Sequence, residues 1–296
     1  MILLVLLLYA LCGLSFTLSK FILSCSAPLF FVAVRMIVSG IALYICFSFS
    51  SPIRKKVRTE DYMLFLQTIL FHIVLAYTCD AWALQYMDST ESAFLYDLSP
   101  FFAAFFSYIS FKERFTAAKI TGICLGFFSL MILLSAQTKM LCSTNFLATA
   151  VMLVAVASGA YGWIVIRKLM MRGYSILFCN SISMFFGGIL VLLSSAYSEQ
   201  WYAIYPVTNI SHFLLSLLLL MVTMNGAFYN LYGYLLTQYS PTFLAFAGFT
   251  CPFFVQFFGW FFLSEAISKE SIVPLCIITW GLFIFYKEEL KGEHKT

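Results

Sequence analysis

Four ionisable side chains stand inside, or at the mouth of, runs that are otherwise apolar: Asp97 within STESAFLYDLSP (89–100), Asp80, Arg35 and Glu91. In hydrocarbon such a charge costs at least ~2.5–3.5 kcal/mol, so each needs a partner or a task. With a rise of about 1.5 Å per helical residue, Asp97 lies roughly 10 Å past Thr90, Arg35 roughly 10 Å past Pro28 and Asp80 roughly 9 Å before Tyr86. The three fall at one level, with Glu91 above them at the mouth. Two carboxylates against one guanidinium leave a spare negative charge. If Arg35 pairs with one acid as a buried structural bridge, the other is free for a cationic ligand or a coupling proton. Glu91 also suits a solvated helix N-terminus, where the helix dipole favours a carboxylate.

Aromatic side chains accompany the acids: Tyr9, Tyr77, Trp82, Tyr96, Tyr161, Trp163, Tyr229 and Tyr232. Singly, each fits packing or an interfacial belt. As a set beside carboxylates they suit a planar cation, through stacking and cation–π contact. His72 aligns with Asn225 at an offset of 153; it is a ligand contact or a hydrogen-bonded packing residue.

The elements that position these residues follow from composition. Of 296 residues 62% are hydrophobic and 10% charged, 34 are Phe, and mean hydropathy is +0.94. A soluble domain carries about 25% charged residues, so this chain is an integral membrane protein. Apolar runs of about 20 residues predict ten spans, at 2–23, 28–50, 61–86, 90–111, 116–136, 146–167, 174–194, 212–236, 242–263 and 270–287. The first run lacks a basic leader and is read as a span rather than a cleaved signal. Orientation follows from Lys and Arg. With a cytoplasmic N-terminus, the inner side collects Arg54, Lys55, Lys56, Arg58, Lys112, Arg114, Lys119, Arg167, Lys168, Arg172, Lys287, Lys291 and Lys295. Only Lys20, Lys139 and Lys269 fall outside, so both termini are expected in the cytoplasm. RKKVR beside a span is therefore topological and not a nucleic-acid patch.

The chain also repeats itself. Pro100…Glu113 recurs as Pro252…Glu265 at an offset of 152, with Thr90, Ala93 and Phe101–Phe102 matching Thr242, Ala245 and Phe253–Phe254. LFFVAVRMIVSGI (29–41) parallels LFCNSISMFFGGI (177–189). An odd number of spans per half inverts the second copy. The expected fold is all-α: two inverted five-helix repeats, residues 1–138 and 139–296, with a substrate site near mid-membrane between them. Asp97 corresponds to Phe249 and Arg35 to Ser183, so the repeat itself does not require these charges.

The fourth and ninth spans, STESAFLYDLSPFFAAFFSYISFKERFTAAKITG and SPTFLAFAGFTCPFFVQFFGWFFLSEAIS, together with Arg35, resemble the drug/metabolite transporter superfamily in its ten-helix EamA-type branch. That resemblance spans the whole chain. It implies a central cavity lined by spans 1, 3, 4, 6, 8 and 9, with alternating access by rocking bundles, and makes Pro100, Glu113, Pro252 and Glu265 structural landmarks. Family members move amino acids, nucleotide-like metabolites, S-adenosylmethionine and cationic drugs.

The expected function is secondary transport of a small cationic or zwitterionic metabolite across a bacterial inner membrane. S-adenosylmethionine, exchanged for S-adenosylhomocysteine, fits best: a sulfonium and an ammonium for carboxylates, an adenine for aromatics, a carboxylate for Arg35. An amino-acid exporter and a proton-coupled exporter of cationic drugs are the alternatives within transport; an embedded enzyme or a scaffold lies outside it. No GxSxG, HExxH or P-loop occurs, and the nine cysteines form no CxxC pair, so neither catalysis, metal nor cofactor is expected. Cys25 and Cys142 alone fall near outer loops. Candidate ligand contacts are Asp97, Asp80, Arg35, Glu91, Tyr96, Tyr77, His72, Tyr161, Trp163, Asn225 and Tyr229. The partners are the solute and the bilayer, with a monomer or homodimer both compatible and no nucleic acid.

Overall fold

The chain's ends of apolar runs carry the chemistry that starts and stops helices. Ser175, Asn209 and Ser240 each accept a hydrogen bond from the backbone N–H three residues on, at 3.1–3.2 Å, as capping residues do. Pro241 takes the first helical position, and Gly173, with φ 87°, closes the helix before Ser175. The computed structural model describes residues 2–22, 26–50, 56–86, 95–113, 116–135, 146–199, 206–263 and 272–293.

Among these residues the chain is all helical. The helices are α1 (Ile2–Ile22), α2 (Pro28–Ser50), α3 (Thr59–Ala83), α4 (Ser99–Phe111), α5 (Ala117–Ser135), α6 (Phe146–Met171), α7 (Ile176–Ser198), α8 (Ile210–Leu235), α9 (Pro241–Ala247 continuing through Cys251–Leu263) and α10 (Ile272–Glu293). An isolated β-bridge joins Ser26 to Val207. Six of these helices are long and apolar enough to cross a membrane: α2, α3, α6, α7, α8 and the α9 segment Pro241–Phe258. Large side chains point outward along them, such as Phe49 at 88% exposure. On a water-soluble surface so much apolar area would be a liability; against lipid it is the expected boundary of a multi-pass membrane protein.

Packing alternates around the molecule. α2 lies along α7, α5 along α10, α1 against α9 and α4 against α6, while α3 meets α6 and α8 meets α1. Lipid is as apolar as leucine, so close contact rather than water exclusion holds membrane helices together. Small residues sit where backbones approach. A methyl group on Gly40 of α2 would come within 2.6 Å of the Phe185 backbone nitrogen of α7, and Gly122 and Gly281 face each other's carbonyls across α5 and α10. Gly126, one turn on from Gly122, presses on Phe246 and Phe249. Phe243, Phe246 and Phe285 form the fully buried base of the main core.

Among the described residues, four interruptions of the α-helical pattern occur, in two pairs at the repeat spacing. α3 is π-helical over Thr68–Leu75 and α8 over Met221–Phe228. α9 narrows to a 3₁₀ turn at Gly248–Thr250, and the chain before α4 turns at Asp97–Leu98. Pro100 and Pro252 explain the second pair. Each lacks the N–H that would bond four residues back and crowds that carbonyl, so the helix restarts there. The uninterrupted fourth span expected at 90–111 is therefore divided at Asp97, and its residues 90–94 lie outside those described.

Candidate functional site

Arg35 is the centre of the site. It is 6% exposed, deep in α2, with its guanidinium carbon 5.7 Å from the ring centres of both Phe31 and Tyr77, within cation–π range. Among the described residues no ion pair reaches Arg35, and its Nε has no hydrogen-bond acceptor. The buried bridge from Arg35 to Asp80 or Asp97, one of the two expectations for these charges, is absent.

Tyr77 is held from the opposite half of the chain. Its hydroxyl is 2.5 Å from that of Tyr229 on α8. Three residues along α3, and so on the same face, is Asp80, with Tyr96 beside it. The Asp80 Oδ1 is buried without a partner. Arg35, Tyr77, Tyr229, Asp80 and Tyr96 thus form one neighbourhood. An aromatic wall adjoins it: Trp163 stacks on Tyr232 at 4.0 Å, and the His72 ring lies 4.5 Å from Trp163 and 5.4 Å from Tyr229.

Asp97 belongs to a second locus. The charge of Asp97 acts on Cys251 of α9, which lies beside Cys12 of α1. Cys251 and Cys12 are here the neighbours of a partly buried acid. Nothing in their spacing signals this, because the contact joins α1 to α9.

Other candidates are placed elsewhere. Tyr161 donates to Gln67 Oε1 at 3.2 Å and its ring packs on Phe71 and Phe106, away from Arg35. Asn225 is fully buried and donates to the sulfurs of Met36 and Met184 at 3.3 and 3.5 Å, which joins α8 to the α2–α7 pair. His72 sits against Gly162. Glu91 and Glu265 lie outside the described residues.

Glu113 anchors the other end of α4. Ser107 and Thr242 donate to its Oε2 at 2.5 and 2.9 Å, and Lys119 Nζ is 2.7 Å from Oε1. Lys119 also pairs with Glu289 of α10 at 2.8 Å, and Glu289 accepts from the Ser240 backbone at 2.6 Å. Burial pushes the Glu113 carboxyl up, but the Lys119 charge and the hydrogen bonds from Lys119, Ser107 and Thr242 outweigh it and hold Glu113 below its ordinary range. This network fastens α4, α5, α9 and α10. A further latch joins Asp61 to Arg172 and Tyr174, and a third has Glu199 accepting from the N–H groups of Leu29 and Phe30 at 2.7 and 3.0 Å.

A cleft of about 680 Å³ runs between α4 and α5 along Leu98, Phe101, Cys124 and Phe128, and is apolar throughout.

The sequence matches the EamA-like transporter family over residues 1–135 and again over 146–287. It is 31% identical, over 94% of its length and 88% of the relative's, to a protein of Chlamydia muridarum named an S-adenosylmethionine/S-adenosylhomocysteine transporter. A relative of the same name from Chlamydia trachomatis serovar L2 is also 31% identical, over 94% of this chain and 86% of that protein. A crystal structure superposes with a TM-score of 0.77, covering 98% of this chain and 96% of its own, at 14% identity, which speaks to the fold alone. Matched in both halves and aligned with such relatives over nearly its whole length, this chain belongs to the EamA-like transporter family of the drug/metabolite superfamily, and is a transporter rather than an enzyme.

Proposed function

We propose that the protein moves S-adenosylmethionine across a bacterial inner membrane by alternating access, in exchange for S-adenosylhomocysteine. In this reading ten spans form two inverted five-helix repeats, residues 1–138 and 139–296, with both termini cytoplasmic. The paired helix interruptions and the alternating packing pattern support the repeat; interrupted helices at corresponding positions of two halves are where such transporters bind their solutes.

One observation carries the reading: three charges set among packed helices, Arg35 buried and Asp80 and Asp97 partly buried, have no ion-pair partner among the described residues. A fold gains nothing by burying uncompensated charge. A ligand that brings a carboxylate, an ammonium and a sulfonium compensates all three, and the relatives' name supports that identity. Asp97 meets the sulfonium or carries a coupling proton.

The test is uptake of labelled S-adenosylmethionine into proteoliposomes. Saturable uptake, stimulated by internal S-adenosylhomocysteine and reduced at least about tenfold in Asp97→Asn, is expected for loss of one charge-assisted contact. Absence of uptake by folded protein under every gradient would remove this substrate.

A further inference from the structure

α1 and α9 lie side by side and run in the same direction. The Tyr9 hydroxyl donates to the Leu244 carbonyl, and its ring faces Gly248, where a methyl group would stand 3.3 Å from Cε1. Farther along, Cys12 lies beside Cys251. A methyl group on Gly13 would stand 2.7 Å from the Phe254 Cβ and 3.0 Å from the Val255 nitrogen. Tyr9 with Leu244, Cys12 with Cys251 and Gly13 with Phe254 are successive rungs of one close contact, and the two thiols occupy the middle rung. Disulfide-bonded residues have Cβ atoms about 3.5–4.5 Å apart; at Gly13 a Cβ would approach its neighbour closer still. Both cysteines are free, Cys251 buried and Cys12 partly buried. α1 lies in the first family match and α9 in the second, so a bond here ties one half of the chain to the other.

We propose that Cys12 and Cys251 are a redox pair, closed to a disulfide by a small neutral peroxide, that braces α1 to α9. One thiol takes an oxygen from hydrogen peroxide, becoming a sulfenic acid as the O–O bond breaks and one water leaves. The second thiol displaces the sulfenic hydroxyl as a second water, and the S–S bond remains. The two sulfurs are oxidised and the peroxide is reduced. A neutral peroxide enters apolar surroundings that hold back charged oxidants. The charged thiol reductants of the aqueous phase are held back equally, so the bridge persists until a neutral dithiol reaches it. Cys251 directly follows the 3₁₀ turn at Gly248–Thr250, where α9 is interrupted, and Asp97 acts on it. A covalent tie at this point fixes the interruption to α1 and stiffens the surroundings of Asp97, so oxidation is expected to stop transport.

The test treats the purified, folded protein with hydrogen peroxide and maps its peptides by mass spectrometry without reduction. A cross-linked pair carrying Cys12 and Cys251, two hydrogens lighter than its parts, is expected. The melting temperature should rise with the cross-link, return on treatment with dithiothreitol, and stay unmoved by peroxide in Cys12→Ser and in Cys251→Ala. The wild-type map needs no variant, so a poorly folding substitution does not remove the test. In proteoliposomes, uptake of labelled S-adenosylmethionine should fall to background on oxidation and recover with dithiothreitol. Recovery of both cysteines as thiols or as separate oxidised acids, with no linked peptide, overturns the pair. A bridge that leaves both uptake and melting temperature unchanged overturns the brace. The uptake arm alone rests on the proposed transport of S-adenosylmethionine. If the untreated protein carries none, that reading falls, and the brace is judged by the cross-link and the melt.

Discussion

Lys119 stands between two carboxylates, 2.7 Å from Glu113 and 2.8 Å from Glu289, with its ammonium 5.4 Å from the Phe285 ring centre. Removing the shared cation leaves two acids uncompensated in a largely buried place. Lys119→Met should therefore lower stability by roughly 3–5 kcal/mol, read as a lower melting temperature in detergent, while Glu113→Gln should cost less because Lys119 keeps Glu289. The same residue gives a pH dependence. Glu113 is held below its ordinary value of 4.5 when folded, so its stabilisation is fully present above that value and is lost as pH falls through the lower, folded value. Melting followed from pH 7 downward should show a loss in this acid window that is absent in Glu113→Gln. Of the site, Asp97, Asp80 and Arg35 were legible as charges within apolar runs, because hydropathy is a local property. That Asp80 would stand beside Tyr96 and Asp97 beside Cys251 was not, because it depends on the turn at Asp97–Leu98 and on which way α4 restarts.

The crossing of α2 and α7 is set by glycine. An alanine Cβ at position 40 would stand 2.6 Å from the Phe185 nitrogen, and backbone cannot swing aside as a side chain can. Gly40→Ala should cost about 1–3 kcal/mol as overpacking. At Gly159 the nearest atom is the Ala76 Cβ at 3.9 Å, so Gly159→Ala should instead be neutral or stabilise by up to about 1 kcal/mol through helix propensity; paired thermal melts distinguish the two. Hydropathy located the helices to within a few residues, and Pro100 and Pro252 marked where two of them restart. The π-helical stretches in α3 and α8 left no mark that periodicity could detect. A one-residue shift in backbone bonding, Thr68–Leu75 or Met221–Phe228, changes neither the apolar content nor the length of the run. The alignment of His72 with Asn225 is the trace they did leave, and it places each in the π-helical stretch of its half.

For the molecule as a whole, the asymmetric distribution of Lys and Arg argues that both ends of the chain face the cytoplasm. A fluorescent protein fused after Thr296 should fluoresce, and alkaline phosphatase at the same point should be inactive; the opposite pair of results would invert the topology. The fastening of α2 to α7 bears on how such a molecule can move. Gly40 and Gly188 bring the two helices into backbone contact along their length, and Glu199, at the end of α7, grips the first N–H groups of α2. Sliding one helix past the other would break a charge-assisted cap and force side chains through backbone. If the protein works by the alternating access proposed above, this pair would be the keel about which the other helices pivot. Arg35, rooted in that keel, would then keep its place while Asp80 and the aromatic wall, carried on other helices, come and go around the cargo.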